Sequence, residues 1–254
     1  MSEIEKSFAK TSSLLFGKEL APLSEYVKWL ETGLPFSVVE KKSVVSGKTV
    51  FMVPHPAYLK ISRNIASMEE ALEIGKLSID EKGAEALELS NAAHSLSKIS
   101  TTCPNTVFGE NFDTEESACY GPTQHCLRIA FSWWSKYASC SYDVRTSSHV
   151  HGCSDLDDCS FCIRCRQSSK LQRCFEVDES ANCSDCHYCH NVENCRDCMF
   201  CFNVKNLKYA VGNVEVGKEE YAKVKKMVLD EIGKKLAEDK NLQWSIYNIA
   251  AGKK

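Results

Sequence analysis

The chain has 254 residues, 43% apolar and 26% charged, with a formal charge of −3. That is enough core-forming material for one large domain or two modest ones, and it is not the composition of a disordered chain. The near balance of charge and the lack of any block of like charges give no electrostatic reason to bind nucleic acid or an anionic membrane. No run of eighteen apolar residues occurs, and the opening MSEIEKSFAK is acidic and polar where a signal peptide needs a basic start and an apolar core, so no membrane span and a cytoplasmic chain, or a particle assembled in the cytoplasm, are expected.

In chain order, PLSEYVKWLET (22 to 32) places Leu23, Tyr26, Val27 and Leu30 at helical spacing, and Gly33-Leu34-Pro35 ends the run. FSVVEKKSVVSGKTVFMVP (36 to 54) reads as two β-branched strands joined at Ser46-Gly47. Ser67 with Glu70 three residues on is a capping-box pattern opening a helix to about Leu77, and an Ala, Leu and Glu-rich stretch from about Asp80 to Ser97 predicts another. These elements define a small α+β domain over 1–104 with no catalytic constellation. Its histidines, His55 and His94, are solitary, and a lone histidine is more often a surface or core residue than a ligand.

Composition breaks at Cys103: residues 1 to 102 hold no cysteine, and 103 to 201 hold all fifteen. Residues 105–122 read as a linker or an irregular first coil. From 159 the sequence falls into gapless rows of twelve, CSFCIRCRQSSK, LQRCFEVDESAN, CSDCHYCHNVEN, CRDCMFCFNVKN and LKYAVGNVEVGK, with Asn182, Asn194 and Asn206 closing three of them. Such a fixed period marks stacked units sharing one core. The finer period is three. The same phase runs upstream through Thr123, Cys126, Ile129 and Ser132 to Leu156, and every site in it is small or aliphatic; among cysteines from Cys126 onward, only Cys140 breaks it.

A strand repeats every two residues and an α-helix every 3.6, so neither produces strict threes. A chain that bends every third residue closes a four-sided coil in twelve and turns one side chain per side inward. The expectation for 123–217 is therefore a narrow β-solenoid, a β-helix of 12-residue coils about 4.8 Å apart, with inward residues every third position. Its lumen suits Cys, Ser, Ala, Thr and Val with an occasional Leu156 or Ile129, and Asn fits its corners because it tolerates left-handed backbone and can form ladders between coils. Residues 218–254 supply an amphipathic capping helix and tail, in which Tyr221, Val224, Val228, Ile232 and Leu236 form one stripe that covers the end of the rod or its side.

In a reducing compartment, fifteen thiols point to burial, metal binding or catalysis before disulfides. Burial leads, because cysteine behaves as a small hydrophobe and the lumen explains its spacing. The expectation is no cofactor. The alternative is zinc, and less so an iron–sulfur cluster, held by stacked CxxC ladders from Cys159, Cys162, Cys165, Cys174, Cys183, Cys186, Cys189, Cys195, Cys198 and Cys201. His187 and His190 fall out of phase and should point outward. A catalytic reading rests only on His149 and His151 beside Cys153, which is more simply a surface pair flanking a core residue, so no catalytic residue is assigned.

The stretch from about 153 to 221, CxxCxxC rows followed by CFNVKNLKYAVGN and then KEEY, resembles cysteine-rich microbial and phage-associated proteins of uncharacterised activity. That resemblance covers the last third of the chain and implies the repeat and a use in a viral or phage particle. The function expected is accordingly a non-enzymatic structural or protein-interaction protein, with a protein partner or self-assembly. The outward residues His187, Tyr188, Met199, Phe200 and Phe202 form either a partner face or the seat of the 218–241 helix, and the seat is the simpler assignment.

Overall fold

The structure, a computed structural model, describes residues 1–53, 64–105 and 107–251. His55 lies outside the described residues. The centre of the molecule is a β-solenoid of about eight turns with 12-residue coils between residues 111 and 211. Its register can be followed coil by coil. Asn111 pairs with Thr123 and Thr123 with Ser135. Lys136 then pairs with Ser148, Ser148 with Ser160, and the series runs on through Gln172, Ser184 and Arg196 to Lys208. Each of these pairings is parallel and offset by twelve. Regular coiling therefore starts at Asn111, inside the stretch read from sequence as a linker or an irregular first coil.

The corners explain the period of three. The residue before each inward position is left-handed, from His125 (φ 51°) and Arg128 (φ 54°) onward to Asn206 (φ 59°) and Tyr209 (φ 54°). L-residues resist this conformation by about 1–2 kcal/mol, and Asn, Asp and Gly resist it least. The corners accordingly collect Asp143, Gly152, Asp155, Asp158, Asn182, Asp185, Asn191, Asn194 and Asn203, while Phe161, Arg164 and Tyr188 are held there by the coils on either side. The corner asparagines do form ladders: Asn191 Nδ2 donates to Asn203 Oδ1 at 2.9 Å and Asn194 Nδ2 to Asn206 Oδ1 at 3.3 Å.

The parallel stack is closed off at its last coil. The strand Lys208–Val211 turns back antiparallel on Val214–Glu215. The Asn213 side chain takes the place of a further coil, accepting from the Phe202 N–H at 2.8 Å and donating to the Phe202 carbonyl at 2.9 Å. Glu215 likewise accepts from the Lys208 N–H at 2.9 Å. Satisfying these edge groups removes a template for further strand pairing.

Two segments pack on the outside of one wall. Helix α1 (Glu3–Phe16), for which the sequence carries no clear apolar stripe, is capped by Ser2 and buries Ile4, Phe8, Leu15 and Phe16. A 3-10 turn (Leu23–Glu25) and helix α2 (Val27–Glu31) occupy the stretch predicted as one helix. The hairpin β1 (Val39–Lys42) and β2 (Thr49–Met52) forms with Gly47 at φ 73° in its turn. Helix α3 (Met68–Ile74) carries the predicted capping box. The predicted Asp80–Ser97 helix is instead two short ones, α4 (Glu81–Glu85) and α5 (Ala92–Ser95). Asn91 divides them: its side chain accepts from the Glu88 N–H at 3.0 Å and donates to the Ala86 carbonyl at 2.8 Å, a local turn that competes with helix.

Helix α6 (Lys218–Asp239) leaves the last coil and lies along the flank, burying Tyr221, Leu229, Ile232 and Leu236 with Val224 and Val228 packed beside them. The lumen is one core; α1, α2, α6 and the outer wall, through Ile163, Phe175, Tyr188 and Met199, share a second. Gly152 shows how closely α2 is seated. At φ 67°, a Cβ there would lie 2.8 Å from the Leu30 carbonyl oxygen. Gly152→Ala is therefore expected to cost about 2–4 kcal/mol, combining overpacking and left-handed strain, and to lower the thermal midpoint by several degrees. An unchanged melt would mean that α2 does not sit there. Among the described residues, no helix is long and apolar enough to cross a membrane.

Candidate functional site

Three places hold residues with chemical potential: the lumen, the covered wall, and the wall left open. In the lumen, cysteines occur in three of the four inward columns, among residues such as Ser135, Ala138 and Val177, and the fourth holds Ser132, Val144, Leu156, Ser168, Ser180 and Val192. All ten cysteines considered as ligands are at most 2% exposed, and all fifteen thiols are free.

Each lumen thiol behaves as a heavier serine. Cys162 Sγ donates to the Ser160 carbonyl at 3.4 Å, Cys186 to Ser184 at 3.4 Å and Cys201 to Met199 at 3.5 Å, always two residues back. Ser168 and Ser180 donate to Arg166 and Asp178 in the same way at 2.6 and 2.7 Å. The serines also accept the N–H of the next coil, as Ser147 does from Cys159 at 3.0 Å. Cysteine thus supplies the same corner bond with more volume and less polarity, which a closed apolar lumen favours.

Burial pushes the thiols of Cys126 and Cys159 up to about 12, so they are protonated at neutral pH. The thiols of Cys174 and Cys198 on adjacent coils and of Cys183 and Cys189 beside it surround Cys186 and push its pKa up. Among the described residues, no group of three or more His, Cys, Asp or Glu side chains is placed to hold a metal ion.

The structure separates His149, His151 and Cys153. Cys153 Sγ faces inward, 3.5 Å from the His151 carbonyl and 3.6 Å from that of Cys162. His151 faces outward, Nδ1 at 2.8 Å from Ser139 Oγ and Nε2 at 3.3 Å from Ser7 Oγ of α1. His149 stacks on Phe161, ring centres 4.4 Å apart. His94 is exposed on α5.

His187 does point away from the lumen, but it is buried beneath α6 near Lys225 with neither ring nitrogen hydrogen-bonded. Burial, first, and then Lys225 lower its pKa to about 3; burial and then His149 lower that of His151 to about 3. His190 is half-buried, its Nδ1 3.0 Å from Asp178. Tyr188 and Met199 are buried, and Phe200 and Phe202 pack against the same core, so this face is the seat of α6 and the C-terminal segment.

A buried ion network on the covered wall had no counterpart in the sequence reading. Arg164, Arg166 and Glu176 are at most 3% exposed. Glu176 binds Arg164 Nε, lies 3.6 Å from Arg166 Nη1 and accepts from the Ile246 N–H at 2.9 Å. Arg164 Nη1 donates to the Trp29 and Thr32 carbonyls. Three segments distant in sequence are thus tied at one point. The signal lay in the 12-residue column Leu127, Ser139, His151, Ile163, Phe175, His187, Met199, Val211, which is largely apolar although it faces away from the lumen.

No family model matches the chain, and no curated protein is significantly similar to it.

Proposed function

We propose that the protein is a non-enzymatic structural or protein-interaction scaffold: a thiol-filled β-solenoid that presents segments to a protein partner or to further copies of itself. The observation that carries this reading is where side chains are spent. Fourteen of fifteen thiols are buried, whereas α3, α4 and α5 bury no residue of their own. On and between those helices Leu72 is 79% exposed and Leu89 96%, with Leu77 and Leu87 exposed beside them. Apolar groups left in water on ordered helices mark a surface that another protein covers. A role in a viral or phage particle extends this reading and rests on the resemblance of residues 153 to 221 alone.

The test is a variant with Leu72, Leu77, Leu87 and Leu89 changed to Ser. It should keep the parent's unfolding midpoint within a degree or two while losing concentration-dependent association in sedimentation, or site-specific photo-crosslinks from position 89. A variant that unfolds, or that associates like the parent, overturns the reading.

A second reading, zinc held by the cysteine ladders, is favoured by the four thiols that surround Cys186. It must overcome thiols already bonded to carbonyls, because four thiolates around one zinc leave net negative charge in an apolar lumen. Protein purified without oxygen should contain less than a tenth of an equivalent of zinc or iron. It should release fifteen titratable thiols on denaturation and melt at the same temperature with and without chelator. Tightly held metal at one equivalent or more would establish the second reading instead.

A further inference from the structure

The wall of the solenoid carrying residues 133 and 134, 145 and 146, 157 and 158 is not covered by α1, α2 or α6. It bears two adjacent tryptophans, Trp133 and Trp134, 51% and 66% exposed. Trp133 is held in place. Its indole lies over Gly121 on the preceding coil, where a Cβ would come within 3.3 Å of the ring. Its own N–H donates to Val144 at 3.2 Å, and its carbonyl accepts from Thr146 at 3.1 Å. With its main chain fixed by the next coil and its ring resting on Gly121, Trp133 has less to order when a ligand arrives.

An open hollow of about 550 Å³ lies against the pair, walled by Trp133, Trp134, Asp143, Arg145, Asp155 and Asp157. A second, of about 480 Å³, continues on the other side of Trp133 towards Tyr142. The charges in the first hollow do not balance. Arg145 forks onto Asp143, at 2.9 and 2.7 Å, and those two cancel. Asp157 accepts only the Thr146 hydroxyl at 2.7 Å, and among the described residues neither Asp155 nor Asp157 forms an ion pair with a cation. Burial raises the Asp155 carboxyl, and Asp143 raises it further against the lowering effects of Ser154 and Arg145, so one arginine is shared among three carboxylates.

We propose that this hollow binds the cationic side chain of a basic peptide segment, an Arg or Lys laid on the indoles of Trp133 and Trp134 with its charge between Asp155 and Asp157. Tryptophan is the strongest aromatic partner for a cation, and a net negative rim selects that charge over a neutral or anionic ligand. Asp155 and Asp157 flank Leu156 on one coil beside the two indoles, and a planar guanidinium can stack on an indole while its fork reaches both carboxylates, where a point charge meets one. The ligand class is therefore an arginine-containing segment first and a lysine-containing one second. The site shares no residue with the leucine-bearing helices.

The test uses the full chain and fluorescent hexa-arginine, hexa-lysine and hexa-glutamate peptides, with maltohexaose as a neutral competitor, followed by anisotropy in 50 and 300 mM salt. Hexa-arginine should bind most tightly, weaken at least threefold in the higher salt, and lose at least tenfold in Trp133→Ala/Trp134→Ala and in Asp155→Asn/Asp157→Asn. Hexa-glutamate and maltohexaose should not compete. Circular dichroism melts confirm that each variant folds. If one does not, acrylamide quenching of the parent's tryptophans provides the second readout, and hexa-arginine should protect them. Equal binding by parent and variants, absence of quenching protection, or displacement by maltohexaose overturns the proposal.

Discussion

Glu176→Met is expected to cost about 3–5 kcal/mol of folding free energy, the largest loss from any single substitution considered. The change keeps the volume and removes one charge, so it leaves Arg164 and Arg166 in a wall where each is 3% exposed with no carboxylate bound to either guanidinium. An uncompensated buried charge costs several kcal/mol, far more than the net value of the pair it came from. The Ile246 N–H loses its acceptor in the same step, and an orphaned buried donor adds about 1–3 kcal/mol unless the tail moves into water. Denaturant unfolding measures the loss. The triple change Arg164→Met, Arg166→Met and Glu176→Met should be less destabilising than Glu176→Met alone, since it removes both the charges and their desolvation cost. If the single variant is as stable as the parent, or the triple is worse than the single, the network is not the clamp described.

The second large effect is acid lability in a defined window. His151 and His187 are held neutral, their folded pKa about 3 against about 6.5 in an unfolded chain. A base with a depressed folded pKa leaves stability complete above about pH 6.5. As pH falls below that, the unfolded chain takes up protons that the folded chain refuses, and stability drops until the folded pKa is reached.

His149, lowered to about 4 by burial and then by Lys10 and Lys136, acts in the same window, so three histidines give a slope of up to roughly 4 kcal/mol per pH unit and a loss of up to roughly 7 kcal/mol between pH 6.5 and 4.5. Carboxylates held low, such as Asp185 beside Arg173, act mainly below that window. His187 has no hydrogen bond to lose, so His187→Leu should be close to neutral at pH 8 and should lower the slope by about a third. His151→Gln would also disturb the contacts with Ser7 and Ser139, and is the less clean probe. Guanidinium unfolding at half-unit steps from pH 8 to 4.5 gives the answer. A slope that His187→Leu leaves unchanged would place the acid sensitivity elsewhere. His151 and His187 lie under α1 or α6, so the helices on that wall are the parts expected to loosen first.

What could be read in the sequence, and what could not, follows one physical line. The lumen was legible because it is the most restrictive environment in the chain: an inward site every third residue admits only small or narrow side chains. Thr123, Cys126, Ile129 and their successors therefore report the coil directly. The closing asparagines Asn182, Asn194 and Asn206 were legible because asparagine resists left-handed backbone least, although larger residues such as Phe161 and Arg164 occupy it too. Local hydrogen bonding likewise gave the Ser67–Glu70 cap and the turn at Gly47.

Helix α1 was visible in principle, through Ser2 with Ile4, Phe8 and Leu15, but its apolar stripe is interrupted by polar residues that the structure buries, Ser7, Thr11 and Ser12. Such positions turn inward only because a particular wall accepts them. The candidate site divides the same way. That cysteines fill the lumen was determined by spacing. That their thiols bond carbonyls, that His187 is sealed under α6, and that Gly121 seats Trp133 depend on residues brought together from distant parts of the chain.

The sequence by itself determined the coil, because a closed twelve-residue turn imposes its constraint on every third side chain, one residue at a time. Only the tertiary structure decided which wall the terminal helices cover, where Arg164, Arg166 and Glu176 meet, and which wall keeps Trp133 and Trp134 in water. Those outcomes depend on the fit between whole surfaces, and no single position in the repeat carries that information.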